Sequence, residues 1–158
     1  MLALVSQALV RLTPIAIEAL RSDLTPLHWG IVIAWVAINA HAEGYRGFHR
    51  RFSPRAVARA QWLADNPRPW HVVFAPLFCM SLFHASRRGL IVARVLLVGI
   101  VGLVTIVRML PQPWRGIVDA GVVVGLGLGL LSLLYFYVRC LQGHPPAADP
   151  DLPADERR

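Results

Sequence analysis

Two stretches decide the fold: GLIVARVLLVGIVGLVTIVRML at residues 89–110 and GIVDAGVVVGLGLGLLSLLYFYV at 116–138. The tight turn Pro-Gln-Pro-Trp-Arg-Gly joins them, and each offers about twenty mostly apolar positions. A helix rises about 1.5 Å per residue, so each is about 30 Å long and matches the hydrocarbon core of a bilayer. The fold class expected is an all-α integral membrane protein. It is a bundle of three to four transmembrane helices with interfacial amphipathic helices beside it.

Composition agrees. The 158 residues are 56% hydrophobic, with a mean hydropathy of +0.52. Soluble domains sit near 45–50% apolar, and the excess is what lipid-facing surface requires. This length makes one helical membrane domain at residues 1–140, not two domains. The formal charge is +7, and all sixteen basic residues are Arg. Those arginines flank apolar spans, which sets topology and meets anionic lipid headgroups, and argues against nucleic acid as a partner. The absence of Lys points to a GC-rich bacterial genome and so to the bacterial cytoplasmic (inner) membrane. Cys79 and Cys140 form no CxxC and support neither a disulfide framework nor a zinc site. The N-terminus lacks a basic n-region and a small-residue cleavage site, so no cleaved signal peptide is expected.

Outward from the deciding pair, a third firm span is read at about 26–44, with the other two at about 90–109 and 116–138. Ser22, Asp23 and Thr25 offer caps for it, and Pro26 suits a first helical turn. Residues 2–21 are apolar but interrupted by Gln7, Arg11, Pro14 and Glu18, which favours a helix lying in the interface. In the basic connector, Ser53 and Pro54 read as N-cap and first residue of a surface helix at 54–65. Its apolar stripe is Val57, Ala60, Leu63 and Ala64, with Arg55 and Arg59 on another face. Residues 70–86 are ambiguous, because Pro76 interrupts them and they are slightly short for a span.

The arginines arbitrate. If 70–86 and 2–21 both fail to span, only Arg11, Arg21, Arg108 and Arg115 lie on one side, against eleven on the other. The positive-inside rule then makes the basic connector 45–69 and the C-terminus cytoplasmic. If 70–86 spans, the count is eight against seven and says nothing. The tail at 141–158 is Pro-rich, acidic and nearly free of apolar residues, which predicts disorder.

Three constellations bear on function. Gly121, Gly125, Gly129 and Ser132 are spaced four, four and three, and form one small-residue face for close helix packing. The partner is the preceding span, through Gly99 and Gly102, or another copy or protein. Asp119 follows Arg115 by four residues and pairs with it, or with Glu43 marks a proton or ion site. His28 and His41 lie thirteen apart, as do His71 and His84. Were both segments antiparallel spans, the four would form two levels of paired imidazoles, as in a b-type cytochrome with two haems. Thirteen residues at about 100° each leave two histidines about 140° apart, which opposes that layout. His41, Tyr45 and His49 share a face at i, i+4, i+8, beside Arg46 and Arg50. Trp29, Trp70, Trp114, Tyr135 and Tyr137 lie near span ends, as an aromatic belt does.

No nucleophile, metal or nucleotide motif stands out. The leading expectation is a non-catalytic accessory, assembly or scaffold subunit working by helix packing, as a homo-oligomer or in a larger membrane complex, with no cofactor. The alternatives are a small haem b electron-transfer protein and an oligomeric proton- or ion-coupled transporter.

Overall fold

The computed structural model describes residues 2–153, which form helices and no strand. α1 is Leu2–Arg21 and α2 is Pro26–Asn39. A π-helical segment, Ala40–Phe52, continues α2 without a break and runs directly into α3, Ser53–Asp65. Two short helices follow, α4 at Pro69–Val73 and α5 at Ala75–Cys79. α6 is Arg87–Arg108 and α7 is Trp114–Leu141.

Three of these are long and apolar enough to cross a membrane: α1, α6 and α7. The sequence reading of 90–109 and 116–138 falls inside α6 and α7. Residues 2–21 differ from their expected place at the surface. They form a 20-residue helix packed along α7, with Ala16 and Ala19 buried against it. The polar residues that suggested an interfacial helix are not in that contact, since Arg11 and Glu18 are both exposed. The expected span at 26–44 is α2 plus the first turn of the π segment. α2 alone has 14 residues, about 21 Å of helix. Its start follows the sequence. Thr25 caps it, its Oγ1 accepting from the His28 N–H, while the His28 ring accepts from the Thr25 N–H.

α7 is the hub. α1 runs antiparallel to it, with Ala19 lying where a Cβ on Gly116 would fall. α2 and the π segment run parallel to it: His28 meets Trp114, Trp35 meets Val118 and Phe48 meets Gly129. α3 reaches its far end, where the Cys140 thiol donates to Gln61 at 3.6 Å. The bundle thus has a turn end, made by residues 22–25 and 109–113, and an arginine end that holds α3, α4 and α5. α6 leaves the turn end and stands almost apart. Val107, next to that turn, is its one buried residue.

Ser53 does not cap α3. The helix arrives there already formed, the Ser53 N–H bonds five residues back to Phe48, and the Ser53 side chain is fully buried. Pro54 has no N–H to give an α-helical ladder, and the wider π winding brings the chain up to it. The buried face of α3 also differs from the expected stripe. Val57 and Leu63 are buried as read, but Ala60 and Ala64 are exposed, and Ala56 and Arg59 take their place.

Arg59, read as a surface residue, is the largest fully buried side chain. Its guanidinium donates to five carbonyls: Phe78 (2.7 Å), Pro150 (2.8 Å), His84 (2.9 Å), Phe83 (3.3 Å) and Asp151 (3.3 Å). It also lies 4.2 Å over the Phe78 ring. Burial pushes this guanidinium down from its ordinary value, and neighbouring Cys79 and Asp151 oppose that. Five donors meeting five acceptors satisfy the full fork of an arginine, which a lysine cannot do. This node organises residues 70–86. They form no single helix, but the short turns α4 and α5 and then a stretch in which Ser81 and His84 adopt positive φ. Both flanks of this stretch sit at the arginine end, so it does not cross the bundle. The node also holds part of the segment read as a disordered tail. Leu152 is buried against Leu63 and Phe78, and the Asp151 carbonyl accepts from the Ser86 N–H at 2.9 Å.

Candidate functional site

The small-residue face of α7 meets α2 and the π segment, not α6. A Cβ on Gly121 would lie 2.5 Å from the Trp35 ring and 2.8 Å from the Asn39 amide. One on Gly125 would lie 2.9 Å from the Glu43 carboxylate, and one on Gly129 2.6 Å from the Phe48 ring. Gly44 returns the favour, taking the side chain of Leu128. Glycine at every fourth position leaves the notches that these side chains fill. Gly99 and Gly102 of α6, the expected partner, have nothing within 4 Å.

The seam is unusually polar for so apolar a helix pair. Trp35 donates through its indole N–H to the Val118 carbonyl at 3.2 Å. The buried Asn39 amide turns back to the Trp35 carbonyl at 2.9 Å. At the arginine end, His49 Nδ1 and Ser132 Oγ are 3.0 Å apart. Trp35, Asn39, His49 and Ser132 are thereby paired inside the seam, as a water-poor setting requires.

A row of rings leads along the seam to the His49–Ser132 pair. His41, Tyr45 and His49 pack ring on ring along the π segment, at 6.0 and 5.8 Å. His49 also touches Tyr135 and Phe136 of α7. Arg50 sits over Tyr45, and Arg139 sits over Tyr135 while donating to its hydroxyl at 3.1 Å. The result is an exposed belt of tyrosine and arginine around the arginine end.

The four histidines expected as a cofactor set are separated. His28 is a capping residue at the turn end, edge-on to Trp114 at 5.3 Å. His41 belongs to the ring stack. His71 and His84 come together at the arginine end, with ring centroids 4.4 Å apart, among Phe78 and Phe83. The two-level layout needed residues 70–86 to span. They do not, so His28 and His84 lie at opposite ends of α7. Among the described residues no group of three or more His, Cys, Asp or Glu is placed to hold a metal ion.

Asp119 is buried one turn into α7, with Arg115 Nε at 3.9 Å from its carboxylate. Glu43 lies six residues further along the seam, about 9 Å on, so the two acids are not brought together. Glu43 is exposed and has no ion-pair partner among the described residues. Arg94 on α6 is likewise exposed and without an ion pair among the described residues. The sequence signal was present, an arginine inside an apolar run, but counting charges by loop passes over residues within a span.

No protein-family model, no curated protein and no solved structure matches this chain.

Proposed function

We propose that this chain is a non-catalytic subunit of a membrane assembly, one that docks through α6. The observation carrying this is the state of α6. It is 22 residues long, with a mean hydropathy of 2.8 over its most apolar window, yet it meets the rest of the chain only at its two ends, beside its turn and where Gly89 lies against Asp151. Lipid alone accounts for an apolar helix surface. It does not account for Arg94, because an arginine facing hydrocarbon costs about 2.5–3.5 kcal/mol on insertion scales. A neighbouring helix that offers an anionic group removes that cost.

The membrane is the bacterial cytoplasmic one, with the arginine end cytoplasmic. Supporting this, Arg50, Arg51, Arg55, Arg59, Arg68, Arg87, Arg88 and Arg139 gather at that end, while Arg21, Arg108 and Arg115 mark the other. A crossing α1 keeps this asymmetry, since it moves the chain's start to the arginine end and leaves Arg21 at the turn end. Anionic headgroups are then the natural neighbours of the tyrosine–arginine belt.

A photo-crosslinking residue at Val98, exposed on α6, tests the reading in native membranes. A discrete polypeptide adduct is expected. Adducts with lipid alone would refute docking by α6.

A further inference from the structure

Resting on that reading, we propose that the partner of α6 is a second copy of this chain, and that Arg94 of one copy pairs with Glu43 of the other. Height within the bundle selects the pair. Arg94 lies fourteen residues before Arg108, the last residue of α6, so it stands about 21 Å from the turn end. Glu43 sits beside Gly125, which is eleven residues beyond Trp114, or about 17 Å from the same end. The two charges are therefore within one helical turn of each other in height.

Elimination narrows the acid. Among the described residues Glu18 and Asp23 lie at the turn end, and Asp65, Asp149 and Asp151 at the arginine end. Asp119 is buried beside Arg115. Glu43 is the exposed carboxylate left at mid-height. The competing cations are Arg11, exposed on α1 at a similar height, and Arg46, exposed on the π segment three residues beyond Glu43. α1 and the π segment, however, are already packed along α7, whereas α6 has nearly all its surface free. Around Arg94, Ile91, Val98 and Val101 extend one apolar stripe at helical spacing, each more than half exposed.

Symmetry does the rest. Two copies in one membrane with the same orientation are related by a two-fold axis along the membrane normal, which preserves height. A residue pair matched in height within one copy is thus matched between copies, and the contact forms twice.

The test uses the full chain, carrying two different tags, in nanodiscs of zwitterionic lipid. Wild type is expected to co-capture as a dimer. Arg94→Glu and Glu43→Arg should each weaken the dimer by about tenfold or more, and the double reversal should restore it. The milder Arg94→Gln and Glu43→Gln should weaken it in the same direction, which guards against a reversal that simply misfolds. Arg11→Glu should leave it unchanged. A monomeric wild type, a dimer indifferent to Arg94, a dimer broken by Arg11→Glu, or no rescue in the double variant would each overturn the proposal. So would an Arg94→Cys/Glu43→Cys protein that closes within one chain. Failure here is separable from failure of the docking reading: a monomeric wild type that still crosslinks from Val98 to a different polypeptide keeps α6 as a docking helix and removes only self-association.

Discussion

α6 and α7 are neighbours in sequence, similar in apolarity, and treated in opposite ways by the fold. α7 is surrounded by α1, α2, the π segment and α3, with Gly116, Gly121, Gly125 and Gly129 all buried. α6 has three glycines; Gly89, in its first turn, lies against Asp151, while Gly99 and Gly102 along its length face open space. Apolarity therefore decides which helices can enter a membrane, while the spacing of small residues decides which helix becomes the hub. Gly99 and Gly102 are three apart and form no continuous row. The four-residue repeat of α7 does form one, and it is filled by Trp35, Asn39, Glu43 and Phe48. α6 is instead held at its two ends, by the turn to α7 and by the Arg59 node next to Ser86.

The sharpest way to break this contrast is at that node. Arg59→Leu orphans five carbonyls and frees the chain just ahead of α6. Each buried acceptor left unsatisfied costs about 1–3 kcal/mol. We expect protease sensitivity within residues 66–86 and 144–153 to rise sharply, with helix content by far-ultraviolet circular dichroism nearly unchanged. Arg59→Lys should fall between the two, because three donors on a point charge cannot reach five acceptors. If Arg59→Leu resists proteolysis as wild type does, α6 is not held by the node.

A second pair of variants compares the helices directly. Gly129→Leu drives a side chain into the Phe48 ring, and overpacking of this kind costs about 1–3 kcal/mol. Gly102→Leu meets nothing within the chain, and an unpacked surface change stays within about 0.5 kcal/mol. Thermal unfolding in detergent of the monomeric chain should therefore separate the two. Gly125→Leu belongs with Gly129→Leu: it strikes Glu43 and Asn39 of its own chain, so loss of an oligomer in that variant would report broken packing inside the subunit.

How much of this was legible in the sequence follows from the range of each interaction. α6, α7 and the cap at Thr25 and Pro26 are local patterns, and they read correctly. The glycine row is visible in the sequence as a packing face, but its partner is not, since spacing along one helix carries no information about the helix opposite. α1 reads as interfacial because Arg11, Pro14 and Glu18 lower its apolarity, while the alanines that pack on α7 give no special signal. Arg59 was unreadable. Its acceptors are backbone carbonyls 19 to 92 residues away, and backbone carbonyls have no signature in a sequence. Position gave a faint hint, since Arg59 shares a helical face with Ala56 and Leu63. Arg94 is visible as an arginine inside an apolar run, and a charge count by loop passes over it. The equal spacing of the histidines in two segments suggests equal heights, and only a fold in which both segments span makes that true.

The smallest effect expected concerns the polar end of the seam. Ser132→Ala removes the hydroxyl that His49 meets at 3.0 Å while keeping the small residue that α7 needs there. A neutral hydrogen bond of this kind contributes about 0.5–1.5 kcal/mol. Ser132→Ala should lower the unfolding midpoint by only a few degrees, a shift that calorimetry of the purified chain resolves. Ser132→Leu keeps neither the bond nor the space, and should cost what Gly129→Leu costs. If the two Ser132 variants unfold alike, the seam at this level is not closely packed, and the row of small residues that makes α7 the hub ends at Gly129. If they separate as expected, the packing face of α7 runs through Ser132 to the edge of the tyrosine–arginine belt. The contrast with α6 then holds over the length of both helices.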